Sequence, residues 1–253
     1  MLQLMQTGAL DMAILTAAEV SNRVPEFGAF YQPYLAANIS EAETVLKSPT
    51  AQQLLELLPQ RIGVIGLGYG MAGMRQILSS VPIKNLAGMR GHKIRITPFA
   101  PIRDFYQLLG VAPTPMPLDS VYDALANGQI DMLDMDLELI LKLKYYRLAN
   151  TLLLSNHMMF PAVAMISGKV WLRLSADDRT LISELAEKYM DKVLQTAVAD
   201  EATWRSQVAE LDITTLTVGP KFFGEAAQAW EQVWKDQSWI ISALRSELEH
   251  THE

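Results

Sequence analysis

The chain has 253 residues, half of them hydrophobic, a net charge of -7 and no cysteine. That length and apolar content suit one large domain or two small ones with real cores and exclude a disordered chain. The acidic balance argues against nucleic acid as a partner, and the lack of thiols removes cysteine nucleophiles, thiolate zinc sites and disulfides.

In chain order, ALDMAIL (Ala9 to Leu15) and RIGVIGLGY (Arg61 to Tyr69) predict buried strands, being short apolar runs bounded by glycine or charge. Between them, SEAETVLKSPTAQQLLELL predicts two helical pieces divided near Pro49, with Ser40 as N-cap and Glu43 completing a capping box. A strand over 92–97 follows, then a helix ending at Gly110, then a helix opened by Asp119 and closed by Gly128. QIDMLDMD reads as a strand and LELILKLKYYRLA as a helix capped by Asp136. Leu174 to Leu211 carries Leu181, Ile182, Leu185, Tyr189, Val193, Ala197, Val208 and Leu211 near helical period, with Ser175 and Asp178 as its capping signal. Uninterrupted, that helix runs on the order of 55 Å at 1.5 Å per residue, long enough to span two lobes. LDITTLTVG predicts one more strand before a Trp-rich terminal helix with Trp230, Trp234 and Trp239. The alternation of strands and helices predicts an α/β class.

Several motifs invite chemistry. Gly68, Gly70 and Gly73 form a G-x-G-x-x-G after a strand, a dinucleotide fingerprint that serves an NAD(P)-dependent oxidoreductase only if a long helix starts there. Pro82 arrives too soon, and no acidic residue stands about twenty positions on, so a flexible turn is the expected reading. Asp131, Asp134, Asp136 and Glu138 offer carboxylates for a hard cation, but capping and complementarity to the helix dipole explain the same spacing. The histidines are scattered, no G-x-S-x-G occurs, and nothing positive supports an enzyme; no cofactor and no metal are expected. Arg75 and Arg95 remain. Both stand in Gly-, Ser- and Pro-rich surroundings without an acidic residue at i±3 or i±4, and Arg95 interrupts the strand pattern KIRI. An arginine at a strand end of an α/β protein is well placed to grip a carboxylate in the cleft beyond the sheet.

Three runs, GMRQILSSVPIKNLAGMRGHKIRI, LLGVAPTPMPLDSVYDALANGQIDMLD and KYYRLANTLLLSNHMMFPAVAMIS, closely resemble the solute-binding subunit of TRAP (tripartite ATP-independent periplasmic) transporters. The opening MQTGALDMAILTAAEVSNRVPEF also resembles an early segment of that family. The resemblance implies a periplasmic binding protein type II-like fold, with two α/β lobes, crossing strands and a long lobe-spanning helix. It divides the chain into 1–72 plus 161–215 as lobe I, 73–160 as lobe II and 216–253 as a C-terminal helical segment. It implies a small organic carboxylate closed between the lobes and delivered to membrane permease subunits in the periplasm.

By family register Arg95 takes the carboxylate clamp and Arg75 a supporting place, and the expected pocket adds Thr16, Tyr69, Phe99, Leu118, Met135 and Phe160. Met135 replaces a polar pocket residue and Leu118 stands where sialic-acid binders carry phenylalanine, which suggests a ligand with an apolar or aromatic body. No secretory leader precedes Met1, so the chain as written is expected to stay where it is made. The family's first strand, helix and strand have no counterpart here. The resemblance therefore implies an N-terminal truncation that leaves lobe I incomplete, with an exposed sheet edge prone to aggregation and in the extreme no binding at all.

Overall fold

The computed structural model describes residues 1–249. Its strands are β1 (Met12–Thr16), β2 (Val64–Met74), β3 (Gln76–Ser79), β4 (Lys93–Ile96), β5 (Ala112–Pro115), β6 (Met132–Met135), β7 (Thr151–Leu154), β8 (Met159–Ser167) and β9 (Thr214–Thr217). They form two sheets. A three-stranded antiparallel sheet has the order β1-β8-β2, and a six-stranded mixed sheet has the order β5-β4-β6-β3-β7-β9. Strands β4, β5 and β6 run parallel, β3 is antiparallel to β6 and β7, and β9 is parallel to β7. The strand at the end of the segment assigned to lobe I therefore belongs to the second sheet, because its ladder partner is β7. In the first sheet β1 lies at an edge that no strand covers among the described residues, with Met12 and Ile14 exposed.

The chain passes between the sheets twice, through Arg75 between β2 and β3 and through residues 155–158 between β7 and β8. The two passages lie side by side. The Arg75 amide donates to the Met158 carbonyl at 2.8 Å, and the Gln76 side-chain oxygen accepts from the amides of Ser155 (2.8 Å) and Asn156 (3.1 Å). These bonds settle backbone groups that no sheet ladder satisfies at the crossing.

The third crossing element is the helix Ala176–Ala209, 34 residues long, whose cap Ser175 accepts from the Asp178 amide at 3.1 Å. It spans about 51 Å at 1.5 Å per residue. Met190 packs in an apolar cluster with Leu67 and Ala164 of the first sheet, whereas Val208 packs with Leu133 and Leu152 of the second. Arg205 ties it to the crossing by donating to the Asn156 side-chain oxygen at 3.0 Å. The stripe expected to be buried is only partly so: Ala197 and Val208 are covered, but Leu181, Leu185, Tyr189 and Val193 face solvent.

The front helices are Ile39–Lys47 and Pro49–Ile62, broken at Ser48 as Pro49 predicts. The first cap is Asn38 rather than Ser40, with Asn38 and Glu41 exchanging the bonds of the box; Ser48 caps the second helix through the Ala51 amide. Asp119 falls in a short 3-10 turn, Leu118–Ser120, and the helix proper is Val121–Ala126. The terminal tryptophans do not share one helix: Trp230 lies in Ala226–Val233, Trp234 caps its C-terminus and Trp239 lies in Ser238–Glu249. Trp230 donates to the Pro101 carbonyl at 2.8 Å and Trp234 to Asp104 at 3.2 Å, fastening this segment to the helix Ala100–Leu108.

The glycine run is neither a fingerprint nor a turn. It lies inside β2, and the chain continues into Arg75 and β3 with no helix at the glycines. At two of the three, other groups approach the strand closely. A Cβ on Gly70 would lie 2.5 Å from the Met190 methyl, and one on Gly73, whose φ is +139°, would lie 2.9 Å from Cβ of Asp136. Register shifts at Gly66/Gly68 and Met71/Met74 interrupt the ladder of β2 with β8.

Candidate functional site at the crossing

In β4, Ile94 and Ile96 fill the core on one face and Arg95 is turned to the other, yet Arg95 is only 3% exposed. Its Nε and Nη2 both donate to the Met116 carbonyl, at 3.0 and 2.9 Å, which pins one edge of the guanidinium. Nη1 makes no hydrogen bond and Arg95 joins no ion pair among the described residues. Burial, and then the nearby charge of Arg75, push its pKa down from 12.5 to about 10; Asp134, Tyr145 and Asp136 pull the other way. The group stays protonated at neutral pH, a buried cation with half its fork unused.

Arg75 is different. Its Nε donates to Oδ1 of Asp134 at 2.5 Å, Nη1 to Oδ2 of Asp136 at 3.2 Å, and Nη2 to the Asp134 carbonyl, while the Phe160 ring lies 4.4 Å from its central carbon. The partners that its sequence surroundings lack are supplied from β6, about sixty positions further on, by the register that sets Gln76 opposite Met135. Burial works against the charge of Arg75, but Asp134 and Asp136 outweigh it and raise the pKa. Burial also opposes ionisation of Asp134; Arg75 and the bonds from His157 and Tyr106 overcome it and hold that carboxyl well below the usual range. Asp136, which caps the helix Leu137–Lys142 through the Leu139 amide at 2.9 Å, is raised by burial despite Arg75.

Around Asp134 the network closes. Tyr106 donates to its Oδ2 at 2.7 Å and His157 Nε2 lies 3.0 Å from the same oxygen. A carboxylate can only accept, so Nε2 carries a proton, and Nδ1 lies 2.8 Å from the Ser155 hydroxyl. Ser155, His157 and Asp134 are all buried, and their linear arrangement connects β6 to the passage between β7 and β8. The acidic cluster is thus dispersed. Asp131 accepts from the Lys93 amide, Asp134 and Asp136 serve Arg75, and Glu138 pairs with Lys142.

Of the expected pocket residues, Arg75 and Phe160 touch each other, and Met135 lies buried in β6 opposite Gln76. Leu118 stands 41% exposed on the loop that follows Met116. Phe99 is buried at the start of the helix Ala100–Leu108. Thr16 caps the helix Ala17–Ser21 by accepting from the Glu19 amide, and the Tyr69 hydroxyl donates to the Ala51 carbonyl at 2.7 Å. Tyr69 borders a separate cavity of about 570 Å³ between the helices Pro49–Ile62 and Ala176–Ala209, away from both arginines. Sequence reasoning missed Tyr106, Ser155 and Tyr145, and gave Asp134 and His157 no place beside Arg75. The legible signal was Asp134 itself, a charge inside the apolar strand MLDM.

Two sheets joined by side-by-side crossings, a helix spanning both, and in β4 a buried arginine without an anionic partner among the described residues define a two-lobed binding protein. Residues 1–239 match the family described as bacterial extracellular solute-binding protein, family 7, and the chain belongs to it. It is 26% identical over 202 residues to the sialic acid-binding periplasmic protein SiaP of Vibrio cholerae, covering 80% of this chain and 63% of SiaP. Among solved structures, a TRAP periplasmic solute-binding protein from a Polaromonas species, bound to D-erythronate, superposes with a TM-score of 0.87 at 26% identity, covering 97% of this chain and 82% of that one. Another from Haemophilus influenzae, with bound L-gulonate, gives a TM-score of 0.89 at 23% identity over 98% of this chain and 82% of that one, a likeness of fold.

Proposed function

We propose that the chain is the solute-capturing subunit of a TRAP-type transporter, working outside the cytoplasmic membrane without catalysis and handing a small carboxylate to membrane permease subunits. One observation carries this: Arg95 is a buried cation with a free fork edge and no anionic partner among the described residues. A carboxylate seated there restores the charge balance that burial disturbs, with two charge-assisted hydrogen bonds of matched geometry. The relatives that bind sialic acid and D-erythronate support the same ligand chemistry. No helix among the described residues is long and apolar enough to cross a membrane, which fits a subunit that meets its permease at a surface. Arg75, already held by Asp134 and Asp136, braces the crossing, and its like charge beside Arg95 adds to the positive field that an incoming carboxylate meets.

The test is calorimetric titration of the chain and of Arg95→Ala with organic acids. Loss of one partner of a buried charged pair costs about 2–5 kcal/mol, so affinity falls at least about thirtyfold. Arg95→Lys also loses most of the affinity, because an ammonium lacks the planar fork. Unchanged binding by Arg95→Ala refutes the clamp.

A further inference from the structure

The carbonyl that holds Arg95 belongs to Met116, and an open groove of about 660 Å³ begins at the next residue, lined by Pro117, Leu118, Asp119, Tyr122, Leu143 and Tyr145. Apart from Asp119 its walls are leucine, proline and the rings of Tyr122 and Tyr145, whose centroids lie 6.2 Å apart at an angle of 31°. Leu118, Tyr122 and Leu143 are about equally exposed, at 41%, 40% and 41%, and they come from two separate segments of the chain. Large apolar side chains left open together beside a charged clamp are uncommon on a solvated surface and mark a contact site. Pro117, the first lining residue, directly follows Met116, whose carbonyl holds Arg95, and this sets the groove next to the clamp.

We propose that this groove receives the apolar, ring-sized body of a monocarboxylate whose carboxyl group sits on Arg95. The proposal rests on the function argued above and deepens it. Three features select this occupant. Arg95 is a buried cation without an anionic partner among the described residues, held by the carbonyl next to the groove, and it serves one carboxylate. Asp119 at the rim disfavours a second carboxylate at the far end of the ligand. The leucine and ring surfaces offer dispersion and burial but, apart from the tyrosine hydroxyls and Asp119, few partners for the successive hydroxyls of a sugar acid; a hydroxyl buried without a partner counts against binding. The ligand class therefore departs from the polyhydroxy acids named for the Polaromonas and Haemophilus structures.

The experiment titrates the full chain calorimetrically with 3-phenylpropionate, cyclohexanecarboxylate, D-gluconate and succinate, and repeats the series on Leu143→Asn, Tyr122→Ala and Arg95→Ala. Leu143 and Tyr122 are exposed enough that both variants keep the fold, which a circular-dichroism melt verifies. The expected result is a preference of tenfold or more for the two ring acids, lowered about tenfold by either groove variant and abolished by Arg95→Ala. Gluconate or succinate binding as tightly as the ring acids overturns the subsite while leaving the clamp in place, provided Arg95→Ala abolishes that binding. Ring-acid affinity untouched by both groove variants also overturns it. If no acid of any series binds a chain that melts cooperatively, the function proposed above falls, and the subsite with it.

Discussion

Replacing Asp134 by asparagine probes the ion network at the crossing without changing its volume. Asparagine keeps one oxygen for Arg75, but its amide nitrogen then faces the Tyr106 hydroxyl and His157 Nε2, both of which donate to the native carboxylate. Arg75 retains Asp136 at 3.2 Å and a backbone carbonyl, yet loses its 2.5 Å charged contact in a site closed to water. Breaking a buried pair in this way costs about 3–5 kcal/mol. For a chain of this size each kcal/mol moves the melting midpoint by about 2–4 °C, so the variant melts roughly 6–20 °C lower. The assay is a pair of thermal melts followed by calorimetry across a pH series. Asp134 has a depressed native pKa, so its contribution is complete above the unfolded value of 3.8 and is lost as pH falls from there toward the native value. Asp136, whose native pKa is raised, acts in the opposite sense as its carboxyl takes up a proton. The gap between wild type and variant should be constant between about pH 5 and 7 and close on further acidification. A midpoint loss under about 2 °C at neutral pH, or a gap that persists in acid, refutes the reasoning.

Asp136→Asn should cost clearly less than Asp134→Asn in the same melts, because burial already disfavours its charge and asparagine is itself a good helix cap. Gly73→Ala forces a Cβ to 2.9 Å from Asp136 at a φ of +139° and should destabilise by about 1–3 kcal/mol, read as a shifted denaturant midpoint with unchanged slope. Gln76→Leu strips the acceptor from the Ser155 and Asn156 amides; about 1–3 kcal/mol per orphaned donor is the expected loss, accompanied by faster hydrogen exchange at those two amides. Unaltered exchange there would show that the crossing does not depend on Gln76.

The elements most legible in the sequence were those set by local chemistry. Ser175 and Asp178 announce the long helix, Asp136 announces the cap that it forms, and KIRI shows its arginine turned away from the isoleucines. Caps one or two positions apart compete, and at the front Asn38 prevails over Ser40 because its side chain reaches the Glu41 amide while Glu41 returns to the Ala37 amide. What could not be read is what register supplies. Arg75 has no acidic neighbour on its own element, and only the pairing of β3 with β6 brings Asp134 and Asp136 to it. The glycines of β2 were misread for a related reason: their need comes from Met190 and Asp136, side chains far along the chain. Periodicity likewise predicts a stripe on the long helix but not how much of it finds a partner, and Leu181, Leu185, Tyr189 and Val193 stay largely uncovered.

The order of strands also governs how the protein is made. In the first sheet β8 lies between β1 and β2, so neither earlier strand has a ladder partner until residues 159–167 exist. In the second sheet β9 completes the edge only when Thr214–Thr217 has been added. At about 5–20 residues per second, the interval from Met74 to Met159 leaves β2 unpaired for roughly 4–17 s during synthesis. The first sheet can close once residue 167 exists and the second only once residue 217 does, and the first encloses the whole β3–β7 stretch of the second in sequence. The two lobes are therefore interleaved in synthesis: β3 to β7 can pair among themselves while β1 and β2 still wait for β8.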